Sequence, residues 1–185
     1  ARQAWTEYLA RDPTSGWSKE ARRHLASLRK TDNAAVWPSE RDRLLRAADS
    51  QAFALVEEIV GRYPQSTREY VEQEVLPAWG DAYLAGDREK STRLLRALAI
   101  IAAAHLRTSS DRMLRDVVQE IESAFTRPSN RDALEAHARG LVGFRKAKEA
   151  YDRFDSRAAT QLFRESRRDL ELAHNHLCLL YTSPS

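Results

Sequence analysis

Apolar residues recur at intervals of three and four along most of the chain, the spacing that gathers them on one face of an α-helix. The clearest segment is residues 79–106, which predicts a helix, a tight turn at Gly86-Asp87 and a second, almost wholly apolar helix. We expect that second helix to be buried against neighbours on both sides. The same spacing elsewhere predicts about nine helices, joined mostly by short loops that force antiparallel neighbours.

Helix boundaries are predicted from proline and capping signals. Residues 31–36 indicate a linker before a new helix at 37–39, which makes them a possible boundary inside a helical domain of residues 1–176. Ser66 and Glu69 have the spacing of a capping box, and Pro77 predicts a kink or break near residues 74–76. Residues 127–130 predict a loop. The last residues, 177–185, are interpreted as an irregular tail that is not native and resembles adapter read-through.

Composition supports an all-α fold of antiparallel hairpins. Apolar residues make up 42% of the chain, with only six Gly and six Pro, which is typical of helices joined by short turns. The net charge is +3, and the excess is local, because residues 139–168 carry nine Arg and Lys against four Asp and Glu. The longest apolar run is far below the roughly 20 residues that span a bilayer. With one cysteine, these features predict a cytoplasmic protein that does not act in the membrane.

No combination of reactive residues predicts an enzyme, a metal site or a cofactor. His174, His176 and Cys178 are spaced two apart, which places them on different sides of a helix. His24, His105 and His137 are single histidines for which structural roles are favoured. Gly140 and Gly143 are interpreted as small residues that permit a close contact between helices, since no strand precedes them as it would a phosphate-binding loop.

Two predicted hairpins align with each other. Ala82-Tyr83-x-x-Gly86-Asp87 matches Ala150-Tyr151-x-x-Phe154-Asp155 at an offset of 68 residues. That offset is twice the tetratricopeptide period of about 34 residues, and the aligned small, aromatic and turn positions resemble that repeat. The pattern predicts a short α-solenoid in which each hairpin packs against the next.

A wider resemblance covers most of residues 1–174. The N-terminal string Trp5-x-x-Tyr8-Leu9-x-x-Asp12-Pro13-x-Ser15-x-Trp17-x-x-Glu20-Ala21, followed by Trp37, Arg62-Tyr63-Pro64 and Leu76-Pro77-Ala78-Trp79, resembles the helical N-terminal region of bacterial proteins that carry a caspase-like CHAT domain. The resemblance implies a sensing or scaffolding module in a fragment of a longer protein. It also implies that the cysteine protease lies in a domain outside this fragment.

The basic segment 139–168 is the candidate binding surface. A protein or peptide partner such as an acidic peptide, or the effector domain of the parent chain, would be recognised there. The alternative is a nucleic acid or other polyanion bound through the same residues. The candidate partner-binding residues are Phe144, Arg145, Lys146, Lys148, Tyr151, Asp152 and Arg153.

Overall fold

A computed structural model describes residues 2–126 and 131–173, with side chains described at 7–15, 17–22, 36–126 and 131–173. The predicted all-α class is confirmed, because these residues form nine α-helices and one π-helix and no strand. The predicted loop at 127–130 and the tail at 177–185 lie outside the described residues. In chain order the helices are α1 Arg2–Arg11, α2 Gly16–Asp49, α3 Phe53–Arg62, α4 Pro64–Tyr70, the π-helix Val71–Val75, α5 Leu76–Leu84, α6 Arg88–Ser109, α7 Met113–Phe125, α8 Arg131–Asp152 and α9 Ser156–Leu172.

Backbone contacts divide the chain into two units, residues 1–42 and 43–185. In the first unit, α1 ends just before Asp12-Pro13, as the proline predicts. The Tyr8 hydroxyl donates to Asp12 Oδ2 at 3.1 Å, and the Ser15 amide donates to Asp12 Oδ1 at 3.1 Å. Asp12 therefore fixes the turn between α1 and α2.

The predicted linker at residues 31–36 is wrong, because α2 continues through it and contains Pro38. The segment is polar but holds no glycine or proline, so nothing in it stops a helix. Pro38 removes one hydrogen bond of the helix, and the Ser39 hydroxyl donates to the Val36 carbonyl at 2.8 Å in the turn around it. Polarity alone was a poor signal for a helix end.

The predicted capping box is also wrong, because α4 begins at Pro64 and its N-cap residue, Tyr63, makes no side-chain cap. Proline is favoured in the first turn, where its missing N–H is not needed, so the helix starts ahead of Ser66. Glu69 instead accepts a hydrogen bond from Gln65 Nε2 at 3.0 Å.

Pro77 does interrupt the α-helical pattern, but without breaking the chain's helical course. The residues before it form the π-helix, and α5 begins at Leu76 with Pro77 in its first turn. A π-helix has a wider turn than an α-helix, and a single such turn within a longer helix is common at functional sites. The interruption spans residues 71–75, whereas the proline predicted residues 74–76.

In the second unit, α6 is the central helix, since it contacts α3, α4, the π-helix, α5 and α7. Ile101 is fully buried and Ile100 is partly buried, in agreement with the predicted burial of this helix. Helix α5 packs on both α6 and α8, and α8 packs on α7 and α9. The α5/α6 and α8/α9 hairpins are therefore linked through their first helices.

Three helix-to-helix turns of this unit share one geometry, the Schellman motif. In each, one residue has a left-handed backbone: Gln51 at φ 57°, Gly86 at φ 74° and Phe154 at φ 61°. The amide of this residue donates a hydrogen bond to the carbonyl three residues earlier, and the amide of the next residue donates to the carbonyl five residues before itself. The six bonds are Gln51 to Ala48 (3.1 Å), Ala52 to Ala47 (2.8 Å), Gly86 to Tyr83 (3.0 Å), Asp87 to Ala82 (2.9 Å), Phe154 to Tyr151 (2.9 Å) and Asp155 to Ala150 (3.0 Å).

The two turns aligned from sequence, at Gly86 and Phe154, also share the way in which the following helix is capped. Asp87 accepts a hydrogen bond from the Lys90 amide, and Asp155 accepts one from the Ala158 amide, each at 3.0 Å. Sequence comparison missed the Gln51 turn, because Ala52 occupies the position of these capping aspartates and no glycine marks the bend.

We predict opposite effects of substitution at the equivalent turn residues Phe154 and Gly86. Phe154 is 92% exposed and left-handed, so Phe154→Gly removes backbone strain without losing packing and should raise the free energy of unfolding by about 0.5–1 kcal/mol. Gly86→Ala introduces that strain and should lower the free energy of unfolding by a similar amount. Urea unfolding followed by circular dichroism tests both, and destabilisation by Phe154→Gly would contradict the prediction.

Candidate functional site

A cleft of about 400 Å³ lies between the segment formed by the π-helix and α5 on one side and α8 on the other. It is open to solvent and belongs entirely to the second unit. Its lining combines charged and amide side chains with one aromatic ring. The lining residues are Gln73, Glu74, Ala78, Asp81, Phe144, Arg145, Lys148, Glu149 and Asp152.

Close approach of the backbones of α5 and α8 sets the position of the two walls. A Cβ atom on Gly80 would lie 2.8 Å from the carbonyl oxygen of Ala138, closer than two such atoms can approach. On the other side of α8, a Cβ on Gly140 would lie 2.6 Å from Leu170 Cγ. The sequence interpretation of Gly140 as a close-contact residue is confirmed, and the Ser166 hydroxyl donates to the Gly140 carbonyl at 2.7 Å within the same contact.

The two cations of the cleft are both paired with carboxylates. Arg145 donates to Asp81 Oδ2 across the cleft at 2.9 Å and to Glu149 Oε1 on its own helix at 3.3 Å. Lys148 Nζ lies 3.8 Å from Asp152 Oδ2. Glu74, which has an interaction of its own, also lines the cleft, so the lining holds four carboxylates and two cations and has a formal charge of −2.

Phe144 is the aromatic residue of the cleft. Its ring packs edge to face against Phe163 of α9, with 5.6 Å between the centroids. The same ring borders a small internal cavity of about 50 Å³ that is otherwise lined mainly by aliphatic side chains of α5, α7, α8 and α9. Phe144 is therefore held by the core on one side and partly exposed to the cleft on the other.

The π-helix that supplies Gln73 and Glu74 is anchored by a charge network. Arg68 donates to Glu72 Oε1 at 2.8 Å and to Asp111 Oδ2 at 2.6 Å. Asp111 in turn accepts from the Met113 amide at 3.0 Å, at the start of α7. Burial raises the pKa of the Glu72 carboxyl, and the adjacent Arg68 opposes that rise. This network ties the cleft wall to the loop between α6 and α7.

The structure brings four of the seven candidate partner-binding residues into the cleft: Phe144, Arg145, Lys148 and Asp152. Lys146, Tyr151 and Arg153 are exposed but do not line it. On α8, Lys146 projects roughly half a turn away from Phe144, which follows from the helical period, and Arg153 lies just beyond the end of this helix. The predicted surface therefore divides into a cleft face and an outer face.

Sequence reasoning missed the opposite wall and one residue of α8. Glu149 could have been recognised, because it lies four residues after Arg145, the spacing of a helical ion pair. Glu74 and Asp81 are seven residues apart, which also favours a shared face. Their meeting with α8 depends on the packing of two helices 64 residues apart in sequence, and no local pattern contains that information.

No histidine whose side chain is described lines the cleft. His105 is buried, with Nε2 3.2 Å from the Pro64 carbonyl, and burial lowers the pKa of His137 to about 4. Within the described residues no group of three or more His, Cys, Asp or Glu could hold a metal ion. His174, His176 and Cys178 lie outside the described residues.

Comparison with family models, with curated proteins and with solved structures finds no match to this chain. In the described part of the chain, no helix is long and apolar enough to cross a membrane. The candidate site is therefore argued from its own geometry.

We predict that Gly80→Ala disturbs the wall of the cleft. The added methyl group meets a backbone oxygen that cannot move aside, and overpacking of this kind costs about 1–3 kcal/mol in the free energy of unfolding. Gly61→Ala is the matched control, because its Cβ would meet only a side-chain methyl at 3.6 Å and alanine favours a helix. Chemical denaturation of both variants tests this, and equal stability would contradict the close contact.

Proposed function

We propose that this chain is a non-enzymatic helical-repeat scaffold that binds a peptide segment of a partner protein in the cleft between α5 and α8. The observation that carries the proposal is the cleft itself: an open, preformed groove of about 400 Å³ with one aromatic side chain and several charged ones. Such a combination of shape, apolar contact and fixed polar groups is what a peptide site requires.

The repeated turns support a stacked, tetratricopeptide-like arrangement. The left-handed residues of the three Schellman turns lie 35 and 68 residues apart, near one and two periods of such a repeat. The packing of α5 on α8 places the first helices of the α5/α6 and α8/α9 hairpins side by side, as first helices lie in a stack, with α7 between the two hairpins in sequence. A groove formed between first helices is then a consequence of the stacking.

The regulatory part of the proposal depends on the resemblance to the helical regions of CHAT-domain proteins. We propose that the scaffold senses or positions an effector domain of a longer bacterial parent chain, in the cytoplasm. The partner segment would come from that effector domain or from a protein that controls it.

To test the proposed function, peptides that bind the whole chain are selected from a library of displayed random peptides. Ala78→Trp fills the cleft, and Ala54→Trp places the same bulk on an exposed position of α3. Selected peptides should bind the native chain and the Ala54→Trp variant alike and lose roughly tenfold in affinity on Ala78→Trp, because one blocked anchor is worth about 1.4 kcal/mol.

Circular dichroism of both tryptophan variants checks that they fold. Failure to select any peptide, or selected peptides that bind Ala78→Trp as tightly as the native chain, would overturn the proposal.

A second candidate function is polyanion binding, supported by a stripe of arginines on α9. Arg157, Arg164 and Arg168 are all exposed and occupy one face, at spacings of seven and four residues. If each arginine contacts one phosphate, affinity for duplex DNA should fall about 40-fold between about 50 and about 200 mM salt.

Replacing all three by alanine should remove this binding, whereas alanine at Arg62, Arg93 and Arg96 removes equal charge elsewhere and should leave it in place. Fluorescence anisotropy measures the affinities, and equal loss in both triple variants would reject a specific stripe.

A further inference from the structure

We propose that the occupant of the cleft is a basic peptide segment, which places an Arg or Lys side chain between the walls of α5 and α8. This inference rests on the proposed function of the cleft as a peptide site. It reverses the charge that the sequence assigns to the partner, because the net positive charge of residues 139–168 does not extend to the cleft they help to form.

The cations of the cleft are already occupied by the protein's own carboxylates. Arg145 is held between Asp81 and Glu149, with about a third of its side chain exposed. Lys148 lies beside Asp152. An acidic partner would approach a lining in which four carboxylates surround two cations, so repulsion opposes its binding here.

The carboxylates keep capacity to accept further hydrogen bonds. Asp81, Glu149 and Asp152 each direct one oxygen to Arg145 or Lys148, and each side chain is about half exposed. The second oxygen of each has no hydrogen bond within the described residues. A guanidinium or ammonium group entering the cleft would therefore find acceptors on both walls without breaking an existing ion pair.

The shape and the aromatic residue of the cleft favour the same occupant. The exposed part of the Phe144 ring gives an apolar surface for the aliphatic stem of Arg or Lys, and its face attracts a cation. Lys146 and Arg153, the exposed cations nearest along α8, do not line the cleft and would not meet the occupant's charge there. Cavity, aromatic surface and excess negative charge thus indicate one chemistry.

Two labelled peptides of equal length, one alternating Arg and Ser and one alternating Glu and Ser, distinguish the alternatives by anisotropy with the whole chain. The Arg peptide should bind and the Glu peptide should not. Glu149→Gln with Asp152→Asn should weaken binding of the Arg peptide roughly three- to tenfold, because two exposed carboxylates that would pair with its cations lose their charge. The control pair Glu89→Gln with Asp132→Asn removes the same charge at exposed positions outside the cleft and should have no effect.

The other outcomes separate the two proposals. Preferred binding of the Glu peptide, blocked by Ala78→Trp, would overturn the basic occupant and leave the cleft as a peptide site. Equal weakening by both neutralised pairs would show attraction to the whole surface and would also overturn the basic occupant. If neither peptide binds and no library peptide is selected, the proposed function fails as well.

Discussion

The approach of α5 to α8 at Gly80 is the constraint on which the second unit depends. A side chain at this position would meet the Ala138 carbonyl, so only glycine allows the two backbones to come this close. On the other side of α8, Gly140 admits Leu170 and lets the buried Ser166 hydroxyl reach a main-chain oxygen. Helix α8 is thus held at short range on both sides, and its position, together with that of α5, determines the cleft.

That rigid contact explains how a cleft can persist beside a well-packed core. One wall of the cleft runs from Gln73 to Asp81, next to Gly80, and the other runs from Phe144 to Asp152 on α8. Arg145 connects them by pairing with Asp81, an ion pair that is partly exposed and weak by itself. Arg68 also holds the π-helix in place through its ion pairs with Glu72 and Asp111. The position of this wall therefore does not depend on the exposed ion pair between Arg145 and Asp81.

Much of the fold could be predicted from the sequence, because its signals are local. Apolar spacing predicted the helical class and the burial of α6, and alignment with the Gly86-Asp87 turn identified the equivalent turn at Phe154-Asp155. The predictions that failed concerned helix ends. Residues 31–36 lack a stop signal, and Ser66 follows a proline that starts the helix earlier. The likeness of the Gln51 turn to the other two turns was not recognised, because no glycine marks it. Backbone geometry in these places is set by bonds that several different residues can make.

The candidate site was predicted less completely, because charge on a segment differs from charge at a site. Counting residues 139–168 along the chain gives a basic segment, yet four of the nine lining residues of the cleft belong to residues 73–81, which contribute two carboxylates. A helix also distributes its charges around its axis, so Lys146 points away from the face that carries Lys148 and Asp152, and Arg153 lies beyond the end of the helix. Only one face of α8 lines the cleft, and that face leaves out Lys146. The second wall, residues 73–81, adds carboxylates, so the cleft is less positive than the segment 139–168. A basic stretch of a helical protein therefore predicts a basic surface only when the charges share the face that forms the groove.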